Sequence, residues 1–150
     1  MTIAPILASV SVAAPPARAF ELFTTHIGDW WPKHMSIGAA PPETVVIEPR
    51  TGGRWFERAA DGTETQWGKV LDWAPPGRLL LAWQIDGQWR YDAGLVTEVE
   101  LRFDLEGESR TRVTLEHRNL ERYGPSAAAH AEQLRGGWPR LLEGYAALAA

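Results

Sequence analysis

The chain has 150 residues, 45% of them hydrophobic and 23% charged, which suits one globular domain over residues 1–150 with a core of its own. With 15 basic and 19 acidic residues the net charge is -4, and no basic run offers nucleic acid or an anionic membrane a surface. There is no cysteine, which removes disulfides, zinc-thiolate sites and thiol catalysis, while 8 tryptophans ask for a large core, a cavity wall or a binding face.

Ile6, Ala8, Val10 and Val12 alternate, so a first strand is predicted over residues 3–12. Ala17-Arg18-Ala19 imitates a signal-peptide cleavage site, but no positive segment precedes it, and the period of two favours a strand. No apolar run reaches the roughly 18 residues of a membrane span, so a cytoplasmic chain is expected. Pro15-Pro16 opens a helix with Ala19, Phe20 and Phe23 on its apolar face. Thr24 or Thr25 is expected to cap a second short helix running to Trp31 and stopped by Pro32. Residues 33–42 read as loop.

Strands are then predicted over residues 44–48, 53–58, 64–73, 78–85, 96–105 and 110–117. Asp61-Gly62 marks a hairpin, and Ala74-Pro75-Pro76-Gly77 a further turn. Leu79, Leu81, Trp83 and Ile85 share a face, which points Trp83 inward. For Trp67 and Trp73 both faces of the strand are apolar, and the inward one stays open. Val99, Leu101, Phe103 and Leu105 are expected to meet Val113 and Leu115 on the core side. Glu98, Glu100, Arg102, Arg112, Glu116 and Arg118 form an exposed cross-strand charge ladder on the other face. Residues 86–94 make a polar loop that nonetheless carries Trp89 and Tyr91. From Ser126 a helix places Ala127, Ala131, Leu134, Trp138, Leu141, Tyr145 and Leu148 on one stripe. Gly136-Gly137 and Pro139 predict a kink or break within it.

This order predicts an α+β fold in which a curved antiparallel sheet of six to seven strands grips a long C-terminal helix, with two short helices after the first strand. Such a grip leaves a ligand space between sheet and helix.

Certain segments carry a resemblance: Pro15-Pro16-Ala17-Arg18-Ala19-Phe20, Trp30-Trp31-Pro32, Glu48-Pro49-Arg50 and Gly52-Gly53-Arg54-Trp55-Phe56-Glu57. It continues through Trp67-Gly68-Lys69-Val70, Trp73, Pro75-Pro76, Trp83, Thr97-Glu98-Val99, Thr111 to Arg118 and Gly137-Trp138. In this order they resemble the START/Bet v 1-like superfamily (SRPBCC) and, within it, the branch named after the heat-shock protein 90 ATPase activator. The resemblance implies the helix-grip fold, an apolar cavity and a hydrophobic small-molecule ligand. Lipid carriers, plant hormone receptors and polyketide cyclases share that fold, so it does not by itself name a function. Much of the founding activator's chaperone contact belongs to a separate N-terminal domain, for which this chain leaves no room. Chaperone contact is therefore not the leading expectation.

The leading expectation is non-catalytic binding of a hydrophobic or amphipathic molecule by Trp30, Trp55, Trp83, His117, Leu134, Trp138 and Tyr145, with Trp89 and Tyr91 as a gate. No catalytic residue, cofactor or metal is assigned, since the four histidines lack metal-site spacing. A cyclase or dehydratase acting on an aromatic or polyketide substrate is the second reading, with His117 and Glu57 as its acid-base candidates. A protein-interaction module with an apolar patch at Trp89 and Tyr91 is the third, and a homodimer stays open.

Overall fold

The computed structural model describes residues 3–149. Strand β1 (Ile6–Val12) is followed by helices α1 (Pro16–Thr24) and α2 (Ile27–Trp30). Then come β2 (Pro42–Ile47), β3 (Arg54–Ala59), β4 (Glu64–Ala74), β5 (Arg78–Trp83), β6 (Thr97–Gly107) and β7 (Arg110–Arg118). A 3-10 helix (Leu120–Ser126) leads into α3 (Ala127–Ala149). All seven strands form one antiparallel sheet in the order β1-β7-β6-β5-β4-β3-β2, and its concave face holds α3. This is the helix-grip architecture the sequence predicts.

Alternation explains the sheet. Val99, Leu101 and Phe103 on β6 and Val113 and Leu115 on β7 are buried toward the helix. Leu105 departs from the expectation: it is 65% exposed, because β6 runs past the helix-covered zone after Phe103. The charge ladder also differs in one respect. Glu100 is buried, with Arg78, Arg102 and Arg118 around it. Burial alone would raise its pKa, but the hydrogen bonds from Arg78 and Arg118 hold it below the usual carboxylate range.

Three bulges bend β2, β3, β4 and β5 around the core. One of them pairs Trp55 with Gly68 and Phe56 with Gln66, so Trp67 has no residue opposite it on β3. Trp67 turns inward and is buried. Trp73, beyond the next bulge, packs edge-on against Phe20 instead. Gly68 is required where it stands, since a Cβ there would fall 1.8 Å from the Ala82 carbonyl oxygen on β5.

Neither Thr24 nor Thr25 caps α2. His26 occupies the cap position without a side-chain capping bond to the backbone, and the Thr24 hydroxyl donates back to the Phe20 carbonyl within α1. Nor does α3 break at Gly136-Gly137 or Pro139: the helix is continuous from Ala127 to Ala149. Burial of Leu134, Trp138, Leu141, Leu142 and Tyr145 against the sheet outweighs the poor propensity of those three residues.

Candidate ligand-binding cavity

A cavity of about 380 Å³ opens between the concave sheet, α3 and the loop of residues 33–41. Five indoles line it: Trp31, Trp67, Trp83, Trp89 and Trp138. Met35, Ile37, Ile85, Leu134 and Leu141 complete the apolar wall. His34, Ser36 and Gln133 supply side-chain polarity, and His34 and Gln133 stand at the exposed rim with Trp89. Gly137 also faces the cavity, and a methyl added there would meet nothing within 4 Å.

Of the expected contact residues, Trp83, Leu134, Trp138 and Trp89 stand on the lining, whereas Trp30, Trp55, His117, Tyr145 and Tyr91 do not. Trp31, not Trp30, reaches the cavity. Helix α2 ends at Trp30, and Trp31 turns to extended backbone ahead of Pro32, so the adjacent rings diverge. Trp30 packs between Phe23 and Tyr145 and donates its N–H to the Leu22 carbonyl. Tyr145 donates its hydroxyl to the Ala19 carbonyl at 2.6 Å. Trp55 lies one layer back, touching Trp31, Trp67 and Trp83. Tyr91 closes a short hairpin by bridging to Ile85. Sequence periodicity does not decide between Trp30 and Trp31 or the inward face of the Trp67 strand, and it gives no sign of the loop residues 34–37, because a helix end, a bulge and an aperiodic loop place these residues on the lining.

His117 is fully buried behind Trp83 and Trp138. The Trp138 indole donates to Nδ1 at 3.1 Å, so the imidazole proton sits on Nε2 and faces the Thr97 hydroxyl at 2.8 Å. That hydroxyl in turn donates to the Trp83 carbonyl at 2.9 Å. Burial holds the His117 pKa down at about 3, aided by the proximity of His130. His117 is thus a neutral, fully bonded support of two cavity walls. Glu57, the other acid-base candidate, is buried as well, and it accepts hydrogen bonds from the Ile37 N–H and the Trp67 indole. His34 is the one titratable side chain on the lining among the described residues.

At the rim, residues 86–90 turn tightly. Asp86 donates its N–H to the Arg90 carbonyl and accepts the Gln88 and Arg90 N–H groups on its carboxylate. Trp89 occupies this turn with φ 61, a left-handed position usually given to glycine. Its ring meets His130, which also meets Tyr123, and neither His130 ring nitrogen has a hydrogen-bond partner. Burial lowers the His130 pKa, and nearby Gln133 and Asp86 only partly offset it. Among the described residues no three His, Asp or Glu side chains gather as metal ligands would, and no helix is long and apolar enough to cross a membrane.

A curled sheet, a gripped helix and an aromatic cavity between them define a protein of the SRPBCC helix-grip class. Within that class the chain belongs to the family described as Activator of Hsp90 ATPase homolog 1-like protein, whose pattern matches residues 13–150. A solved structure of an anthrahydroquino-γ-pyrone synthase, Txn09, complexed with SUM, is 37% identical over 97% of this chain and 96% of that one, with TM-score 0.67. CalC from Micromonospora echinospora, a self-sacrificing resistance protein, is 28% identical over 97% of this chain and 94% of that one, with TM-score 0.72. The Aha1 dimer from Colwellia psychrerythraea, at 14% identity over 98% of this chain and 96% of that one and TM-score 0.66, shares the fold. No curated protein sequence matches the chain.

Proposed function

We propose that the chain binds a flat, largely apolar aromatic molecule in the indole-walled cavity, with the ligand's polar edge at His34, Ser36 and Gln133. The observation that carries this reading is the set of five indoles around about 380 Å³. Ring edges and faces at the wall suit stacking and edge-on contact with another ring system. The volume is near the lower end of small-molecule sites, roughly 300–1,000 Å³, which favours a few fused rings over a long acyl chain.

Native mass spectrometry of the freshly purified protein, followed by solvent extraction, tests this directly. A released aromatic compound is the expected result. Calorimetric titration with anthraquinone-2-sulfonate then gives one site, whereas palmitate gives none. Binding of palmitate alone, or of neither probe, overturns the reading.

A second reading is supported by the 37% identity to a synthase. In it the cavity is catalytic, and His34, its one titratable lining group, moves a proton on the bound ring system. Conversion of the extracted compound by the protein, abolished in His34→Ala while binding persists, is the result that would establish it. Unchanged turnover in His34→Ala would remove His34 from that role.

A further inference from the structure

Glu57 breaks a local rule. It stands on β3 at 2% exposure and joins no salt bridge among the described residues. A carboxyl buried without a cation is costly, and leucine would fill the same space at less expense. What the carboxyl does is specific. Its Oε1 accepts the Ile37 N–H at 2.7 Å and the Trp67 indole N–H at 2.9 Å. Those two donors come from different segments, the loop of residues 33–41 and strand β4, and both residues line the cavity.

The loop has little else to hold it. Its other hydrogen bonds are Met35 N–H to the Pro32 carbonyl and the Trp31 indole to the Met35 carbonyl. Gly38 lets it close down on the carboxyl: a Cβ there would stand 2.8 Å from Glu57 Oε2 and 2.9 Å from Thr65 Oγ1. The bulge that leaves Trp67 unpaired on β3 turns its indole toward the same oxygen.

We propose that Glu57 is a positioning residue for the cavity, fastening the loop at Ile37 to the wall at Trp67 and so fixing the gap that receives the ligand. The role rests on the reading of the cavity as a ligand site. Glu57 itself does not reach the lining, and it acts through the two residues that do.

The test uses the full chain in three variants, with two readouts: amide hydrogen exchange at Ile37, and calorimetry with anthraquinone-2-sulfonate. Glu57→Gln keeps the acceptor oxygen, so Ile37 stays protected and Kd stays within about threefold of wild type. Glu57→Leu leaves both N–H donors buried and unpaired, so Ile37 exchange and Kd each rise about tenfold or more. Recovery by glutamine is the result that a general loss of packing does not give. If Glu57→Leu does not fold, Gly38→Ala replaces it; the carboxyl is then intact but the loop is pushed off, and the same loosening and weaker binding are expected. Wild-type protection and affinity in Glu57→Leu or, failing that variant, in Gly38→Ala overturn the proposal. So does damage in Glu57→Gln equal to that in Glu57→Leu. If the wild-type protein binds no probe, the cavity reading falls by itself, and Ile37 exchange in the variants still decides the tether.

Discussion

Behind the cavity, Trp138 donates to His117, His117 bonds to Thr97, and Thr97 donates to the Trp83 carbonyl. At the rim, Trp89 holds a left-handed backbone and His130 beside it has two unpartnered ring nitrogens. The two regions share the same wall and lie on opposite sides of a physical bargain. The inner wall is tied together through His117 and packed ring on ring, with only the buried Trp55 and Trp83 indole N–H groups unpartnered among its described residues, and it sets the cavity's shape. The rim keeps unused polarity and backbone strain of about 1–3 kcal/mol, which persists only where the surroundings enforce it. A binding site needs both: a fixed surface to recognise the ligand, and a less stable edge that can admit it.

Four experiments break or sharpen this contrast. The largest effect is expected from His117→Leu, which strands the Trp138 N–H in the core and costs about 3 kcal/mol of folding free energy by urea denaturation. A loss under about 1 kcal/mol would mean the inner wall is no stiffer than the rim. Acid comes next. The folded His117 has a pKa near 3 against an ordinary 6.5, so in that window the unfolded chain binds protons more readily than the folded one. His130 is shifted in the same direction. Stability is therefore complete above about pH 6.5 and declines as pH falls toward 3, a decline that His117→Leu flattens in a pH series of unfolding curves.

Trp89→Gly probes the rim. It removes one indole from the cavity lining but relieves the left-handed backbone, so anthraquinone-2-sulfonate binding is expected to weaken about tenfold while stability changes by less than about 1 kcal/mol. A larger loss of stability would put Trp89 with the packed wall. The smallest effect belongs to Gly137→Ala. It stabilises α3 by about 0.5–1 kcal/mol in thermal unfolding, and the methyl trims the cavity enough to weaken the same probe a few-fold.

The sheet was legible because β6 and β7 alternate strictly and Asp61-Gly62 punctuates a hairpin, with Gly62 at φ 90. His117 fell on the inward parity of Val113 and Leu115, and it is buried. The cavity wall was less legible, and each miss has a local cause. Choosing Trp31 over Trp30 depends on where a four-residue helix stops before Pro32. Trp67 depends on a bulge, which shifts parity without leaving a pattern in the sequence. Residues 34–37 depend on a local bond from the Trp31 indole to Met35 and on a tether from Ile37 to Glu57 on β3, neither of which follows a periodic pattern. The unbroken α3 shows packing overruling propensity, a result that no count of glycines and prolines foretells.

The ring contacts have an optical consequence. Every tryptophan except Trp89 belongs to one chain of aromatic contacts, running from Trp73 through Phe20, Phe103, Phe23, Trp30 and Trp31 to the rings around Trp138. Centroids along it and among the inner rings lie 4.9 to 6.3 Å apart. Trp30, Trp31, Trp55, Trp67, Trp83 and Trp138 each touch another indole directly, and transition dipoles that close couple, so an exciton couplet is expected in far-ultraviolet circular dichroism. Trp89 contacts His130 and, among the described residues, stacks on no other indole. The couplet therefore reports on the packed wall, and Trp89→Gly is expected to leave it in place.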